Sequence, residues 1–333
     1  MTNPVLIEVT RGSLVESRHR GAIAVADVAG TMALAIGDVT TPIFPRSAVK
    51  ALQALPLIEL GAADRYGLGD EALALVCASH SGEAAHVAGV QAMLVKAGLE
   101  PSALRCGAHW PIAQSAAAAV ARSGAPSALH NNCSGKHAGF LCTACAMGAD
   151  RAEYFRPEHP VQRAVRAVLE GFTGAAIAEE RCAIDGCSVP TWAVPLRNLA
   201  QGFAKFGTGE GLAPERARAA ARLRQACARK PWFVAGTGRF CTDVMQLFGP
   251  RVFVKKGAEG VYCGALPQQD LGIAIKCDDG ASRAAQAIMA AVIARFVPLD
   301  ATERTALASF LEPRLRNWNG FEVGAIRVMD ALR

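Results

Sequence analysis

At 333 residues, with 51% hydrophobic and 19% charged side chains, the chain can bury a sizeable core as one large domain or two lobes, and intrinsic disorder is excluded. A formal net charge of +6 would suit a nucleic-acid ligand, but the basic residues are dispersed. Only Arg216–Lys230 (RARAAARLRQACARK) is dense; it reads as the solvated face of a helix, no nucleic-acid motif accompanies it, and no nucleic-acid partner is expected.

Residues 4–10 (PVLIEVT) read as a strand, followed by a hairpin with strands near 21–27 and 31–37 around Val28-Ala29-Gly30. From about 47 to 235 the pattern turns Ala- and Leu-rich, with helical stretches at 47–60, 84–97, 113–123, 137–148, 160–171 and 214–229. Strand character returns at 251–256, 260–266 and 271–276, and helices near 281–297 and 301–311 close the chain. Strands at both ends with helices between them predict an α+β fold, one sheet assembled from the two chain ends beside a mainly helical lobe. The corresponding division is 1–45 with 236–333 for the sheet lobe and 46–235 for the helical lobe, with the active site in the cleft between them.

The opening MTNPVLIEVTRG has no basic start leading into an apolar stretch and a small-residue cleavage site, so a cytoplasmic protein is expected. The nearly apolar segments 138–149 and 284–297 are too short to span a bilayer, and no membrane partner is expected. The 11 cysteines are odd in number and scattered, so they are expected reduced, as small hydrophobes, metal ligands or reactive thiols.

The sharpest local feature is Pro45-Arg46-Ser47-Ala48-Val49-Lys50. Pro45 marks a helix start, and from Ala48 to Leu60 the polar residues are Lys50, Gln53 and Glu59, so the helix is expected buried on all sides. Ser47 and Lys50, three apart, would share one face of it. Burial strips an ammonium of hydration and makes it a base near neutrality, and a serine hydroxyl needs such a base to become a nucleophile. The alternative is a chance S-x-x-K.

Cys77-Ala78-Ser79-His80-Ser81-Gly82-Glu83 follows the apolar segment Ala72–Val76. It reads either as a polar loop at the lip of a buried element or as a cap, Ser79 or Ser81 with Glu83, for the 84–97 helix. Val254-Lys255-Lys256-Gly257 supplies a K-x-G on a strand. S-x-x-K, S-x-S and K-x-G thus occur in the order of the S-x-x-K, S-x-N and K-T-G set of serine β-lactamases and penicillin-binding proteins, with Ser81 where Asn is usual. That order is what a lysine serving only as anti-aggregation charge would leave unexplained at Lys255. Two further polar, Gly-containing stretches, His130–Gly139 and Ile184–Pro190, look like site loops; their cysteines lie in no C-x-x-C knuckle, and the one at Cys142 and Cys145 falls within a helix.

Taken together, SAVK, CASHSGE, HNNCSGKHAGF, DGCSVP and KKGAEGVY resemble the asparaginase II family, the Rhizobium etli type or class 3 L-asparaginases, over essentially the whole chain. The resemblance implies a serine β-lactamase/penicillin-binding-protein-like fold, usually as a homodimer, and release of L-aspartate and ammonia from L-asparagine. It implies two Ser-Lys pairs in one pocket, Ser47 with Lys50 and Ser79 with Lys255, the choice of Lys255 over Lys256 resting on the K-x-G register. It further implies a metal site, typically zinc, from Cys133, Lys136 and Cys187, ordering substrate or structure and not acting as the Lewis acid. Arg46, His137 and Asp185, with Ser81 of the S-x-S motif, would bind substrate or support its binding.

Ser47 is the favoured nucleophile, as the opening residue of a buried helix whose dipole would favour an anionic intermediate, with Ser79 and Lys255 relaying protons; exchanged roles stay open. Two related readings are a serine glutaminase, differing by one substrate methylene, and a β-lactamase-like amidase, which should be exported. A zinc- or thiol-based regulatory binding protein is the reading from another class; it leaves the ordered Ser-Lys motifs without a purpose.

Overall fold

The computed structural model describes residues 2–332. Its centre is an antiparallel sheet of eight strands in the order Arg314–Arg316, Glu322–Val328, Val5–Arg11, Leu14–Ala26, Leu271–Cys277, Val261–Leu266, Phe253–Lys256, with Met32–Ile36 paired to Leu14–Ala26. The 13-residue strand Leu14–Ala26 makes this possible. Its first half pairs with Val5–Arg11, and its second half carries Met32–Ile36 and Leu271–Cys277 on its two sides. The sheet is therefore built from both chain ends, as the α+β reading expected.

Ala22 to Ala26 are all buried, and successive strand residues point to opposite faces, so both faces of the sheet are covered. Helices Leu196–Thr208 and Ser282–Phe296 pack against these strands. Apart from Ala301–Leu311, the remaining α-helices lie between residues 50 and 248, and Leu55–Glu59, Ala62–Arg65, Asp70–Val76, Ala84–Lys96 and Pro160–Thr173 pack around Ser134–Met147, which is buried continuously from Ser134 to Ala144. No helix among the described residues is long and apolar enough to cross a membrane. All 11 cysteines are free.

Three expectations are corrected. The helix expected over 47–60 is a 3-10 turn at Arg46–Val49 followed by two short helices, Lys50–Gln53 and Leu55–Glu59. Pro56 has no N–H for the helical ladder, so the segment breaks before it while staying buried. The chain does not close on helices: the hairpin Arg314–Arg316 with Glu322–Val328 follows and completes the sheet beside Val5–Arg11. Its charged, short strands carry little apolar alternation. Leu196–Thr208 was also absent from the helical expectations, although Leu196, Leu199, Ala200, Phe203 and Ala204 form a buried stripe at helical spacing.

That helix approaches the sheet so closely that Gly272 has no room for a side chain: a Cβ there would lie 2.0 Å from the Ala200 carbonyl oxygen. Gly272→Ala should therefore cost about 3 kcal/mol of folding free energy, the upper range for overpacking, read from the midpoint of urea denaturation. A loss within experimental error would show that helix and sheet are not in this contact.

Candidate active site

Three chain segments deliver the polar cluster. Lys50 opens the short helix Lys50–Gln53 with no exposed surface. Its Nζ donates to the Ala78 carbonyl at 2.6 Å, to Ser79 Oγ at 3.1 Å and to the Asn132 carbonyl at 3.3 Å. Lys255, on the strand Phe253–Lys256 and also buried, donates to the same Ser79 Oγ at 2.8 Å and to the Lys256 carbonyl at 2.8 Å. Ser79 follows the helix Asp70–Val76, and its N–H donates to the Val234 carbonyl at 3.0 Å, tying the loop to the helix Pro231–Ala235. One hydroxyl is thus the meeting point of two buried lysines. It is Lys255, not Lys256, that reaches it.

Neither lysine enters an ion pair among the described residues. Burial first, and then the charge of Lys50, lower Lys255 from its ordinary 10.5 to about 7. Near neutrality a large share of Lys255 is accordingly the free amine.

Ser47 sits differently from expectation. It lies within the turn Arg46–Val49, half-buried, and its Oγ makes no hydrogen bond to Lys50; the link between them is from the Lys50 N–H to the Ser47 carbonyl. The helix that follows has four residues, so the macrodipole argument for Ser47 loses its basis. Arg46 adopts φ +48°, a left-handed conformation that costs a residue with a side chain roughly 1–2 kcal/mol. Its guanidinium donates twice to Asp185 Oδ1, at 2.6 and 2.9 Å, and holds the turn. Burial would raise the Asp185 carboxyl, but Lys136 and Arg46 outweigh it and keep the group below the usual carboxylate range.

Ser81 is buried, its Oγ donating to the Ala235 carbonyl at 2.6 Å and accepting from Arg239 Nη1 at 3.3 Å. The capping alternative for this loop fails. Glu83 itself precedes the helix Ala84–Lys96, and its carboxylate accepts from the Thr237 N–H and hydroxyl, each at 2.9 Å.

His137 is fully buried, with Nδ1 2.6 Å from the Tyr154 hydroxyl. That hydroxyl accepts the Arg105 N–H at 2.9 Å and has no other acceptor for its own proton among the described residues, which assigns that proton to Nδ1 and the ring's proton to Nε2. Nε2 has no partner. Burial and the Lys136 charge lower the ring to about 3, so it is neutral. A buried donor left unpaired in this way is available to a ligand.

Lys136 Nζ donates to Cys187 Sγ at 3.1 Å, and Cys133 shares a hydrogen bond with Cys187. The Cys133 hydrogen bond, above all, holds the Cys187 thiol well down, while the same contact and burial push Cys133 up. No group of three His, Cys, Asp or Glu that could hold a metal exists among the described residues. A metal would therefore need the Lys136 nitrogen beside the two sulfurs. Burial would loosen the Lys136 proton, but Cys187, Cys133 and Asp185 outweigh it and hold the ammonium more firmly than usual, so two soft sulfurs and this nitrogen fit zinc only with release of that proton on binding.

Sequence reasoning missed Asn132, which joins the two clusters. Its carbonyl receives Lys50, its Oδ1 accepts from the Cys133 thiol at 3.1 Å, and its N–H donates to His109 Nε2 at 2.9 Å. Asn132 stood inside a recognised motif; the partners Tyr154 and His109 carried no local signal. A cavity of about 720 Å³ lined by Leu68, Leu75, Met93 and Phe233, with Asp70, Glu71, Lys96 and Lys230 also on its wall, includes none of the residues of this cluster.

The L-asparaginase II family matches residues 7–328. The chain belongs to that family. No curated protein matches it. Among solved structures it is similar to a β-lactamase from Mycobacterium bovis, at 14% identity over 84% of this chain and 95% of that one, with a TM-score of 0.43. It is also similar to a class C β-lactamase from Rhodobacter sphaeroides, at 13% identity over 87% and 93% of the two chains, with a TM-score of 0.40. Family membership makes the protein a hydrolase of amides with a small-molecule substrate.

In this hydrolase, Gly257 lets the strand bearing Lys255 abut the turn bearing Ser47: a Cβ at Gly257 would lie 2.7 Å from the Pro45 carbonyl oxygen and 3.2 Å from Ala48 Cβ. Gly257→Ala should displace Lys255 and the turn relative to each other. Ammonia release should fall more than tenfold, since misplacement by about 1 Å can cost about a hundredfold, while the protein still folds cooperatively. Unchanged turnover would mean the approach of strand and turn is irrelevant to the chemistry.

Proposed function

We propose that the protein is an L-asparagine amidohydrolase working by serine catalysis, and the observation that carries this is the Ser79 hydroxyl held between Lys50 and Lys255. The neutral amine of Lys255, 2.8 Å away, takes the Ser79 proton as Oγ attacks the side-chain amide carbon. The tetrahedral intermediate collapses with the Lys255 proton passing to the departing nitrogen, so ammonia leaves and an aspartyl ester remains. Water, deprotonated by the again-neutral Lys255, hydrolyses the ester to L-aspartate and restores Ser79. Lys50 Nζ, 3.1 Å from the same oxygen, donates a hydrogen bond that favours the alkoxide.

A second reading has Ser47 attack, with Ser79 passing its proton to Lys255. What favours it is the backbone. The Ser79 N–H is committed to Val234, whereas the Ser47 N–H, at the opening of its turn, has no backbone acceptor and is free to meet an oxyanion. The left-handed Arg46 immediately before it supports the same view. Asp185 and the unpaired His137 Nε2 offer one acceptor and one donor for the polar groups of an amino-acid substrate.

Ammonia release from L-asparagine should exceed that from L-glutamine about 10- to 100-fold, the discrimination a pocket gets from one methylene. Turnover should rise with pH through about 7, because protonated Lys255 cannot accept the serine proton. Lys255→Met should remove that limb and most of the activity. Mass spectrometry of an acid-quenched reaction should find the aspartyl ester on the Ser79 peptide, or on the Ser47 peptide if the second reading holds. An ester on neither serine, or no ammonia from asparagine, sinks the proposal.

We also propose that Cys133, Lys136 and Cys187 hold zinc, whose chemistry when bound is to orient a polar group of the substrate. One zinc per chain should be found by elemental analysis of protein grown with zinc, and lost in Cys133→Ala/Cys187→Ala. That variant should show a raised KM with kcat reduced less than tenfold. Zinc-free protein under zinc-replete growth would count against the site, and loss of kcat alone against the ordering role.

A further inference from the structure

Two cations flank the segments that carry the site, Arg239 against Ser81 and Lys256 next to Lys255, and neither enters an ion pair among the described residues. Arg239 immediately precedes the helix Phe240–Phe248 and makes one side-chain hydrogen bond, the long 3.3 Å contact to Ser81 Oγ. Lys256 follows Lys255 and makes no side-chain hydrogen bond among the described residues. The Cys241 thiol accepts the Lys256 backbone N–H, which pins the start of the Arg239 helix against the strand. Both side chains are half-buried.

Three comparably enclosed arginines hold carboxylates, Arg46 with Asp185, Arg216 with Glu59 and Arg251 with Glu303, whereas Arg224, like Arg239, enters no ion pair among the described residues. Glu83, beside the Ser81 loop, is committed to Thr237, and Asp243, one turn along the helix from Arg239, forms no ion pair with it among the described residues. The charge of Arg239 bears on both Lys255 and Lys256 and lowers each of them, after burial. Like charges held together in a partly dry place, with their donors unspent, are a site for an anion.

We propose that Arg239 and Lys256 form a carboxylate subsite that takes the α-carboxylate of a free amino-acid amide and so presents its side-chain amide to Ser79. This rests on the amino-acid amidohydrolase reading above and adds its specificity device. The planar guanidinium, oriented by Ser81, matches a carboxylate with two parallel N–H donors. Ser81 thereby acts through Arg239 as a positioning residue. An asparagine inside a peptide has no free α-carboxylate and is not recognised.

The test uses the full chain and L-aspartate, whose binding requires no turnover, followed by NMR titration. Arg239→Gln and Lys256→Gln should each weaken L-aspartate about 100-fold or more, the scale for truncating one partner of an enclosed charge pair. Arg239→Lys should restore part of the loss. Binding of 3-aminopropanamide, which is asparagine without its α-carboxylate, should change less than twofold in the same variants, with thermal midpoints preserved. For asparagine hydrolysis the loss should appear in KM and not in kcat. L-aspartate affinity unchanged in both variants overturns the subsite. So does equal loss for L-aspartate and 3-aminopropanamide, which marks a structural role. If wild-type protein binds L-aspartate through Arg239 yet releases no ammonia from asparagine, the amidohydrolase reading falls and the subsite stands.

Discussion

Two buried ammonium groups converging on one hydroxyl set the terms for the rest of this structure. Removing an ammonium from water costs several kcal/mol even after relaxation, and here no carboxylate repays it. Backbone carbonyls stand in for water instead: Ala78 and Asn132 for Lys50, Lys256 for Lys255. Inside a helix or sheet such carbonyls are occupied by their own ladder. Ala78 lies just past the helix Asp70–Val76, Asn132 just before Ser134–Met147, and Lys256 at the last position of its strand. The acceptors are therefore available because the elements end there. A sheet assembled from both chain ends, packed on a helical middle, brings three such ends to one point.

The fold was legible where side chains are sorted by water. The strands Val5–Arg11, Phe253–Lys256, Val261–Leu266 and Leu271–Cys277 and the helices at 84–96, 160–173 and 214–229 follow the sequence pattern closely. Legibility failed where the cause is not periodic. Pro56 splits a segment whose uniform apolarity looked like one helix, and the charged strand Arg314–Arg316 gains its place by pairing with its neighbour. The site divides the same way. Ser79, Lys50 and Lys255 were readable as types in ordered motifs, but the sequence paired Ser47 with Lys50 because three-residue spacing implies a shared helical face. The turn at Arg46–Val49 removes that face, and Lys50 reaches across to Ser79 instead. Carbonyl acceptors have no sequence signature, since every residue carries one.

Asn132 makes the two polar clusters one object. Its carbonyl, amide oxygen and N–H face Lys50, Cys133 and His109 respectively, so the thiol loop and the lysine pair cannot shift independently. The opposite wall is tied through Arg46 and Asp185, with Lys136 contributing to the field that keeps Asp185 ionised. On the proposed function, the substrate meets one paired guanidinium, one unpaired imidazole donor and the buried lysines. That polarity fits a small zwitterion better than an extended apolar amide.

The same cations make the site a thermodynamic burden, and pH decides when it is borne. Lys255 titrates at about 7 when folded against an ordinary 10.5. Below about 7 both folded and unfolded chains hold its proton, and the folded state carries the full cost of a buried charge. Between those values the unfolded chain binds a proton that the folded chain has released, so stability rises with pH until the burden is gone. The free amine that the proposed chemistry requires is thus the form that folding also favours. Near neutrality the protein stands at the low edge of that window, where Lys255 exists in both forms. The proposed transfer of a proton from serine to a leaving nitrogen needs both forms within reach, and deep burial beside a second lysine is what brings them there.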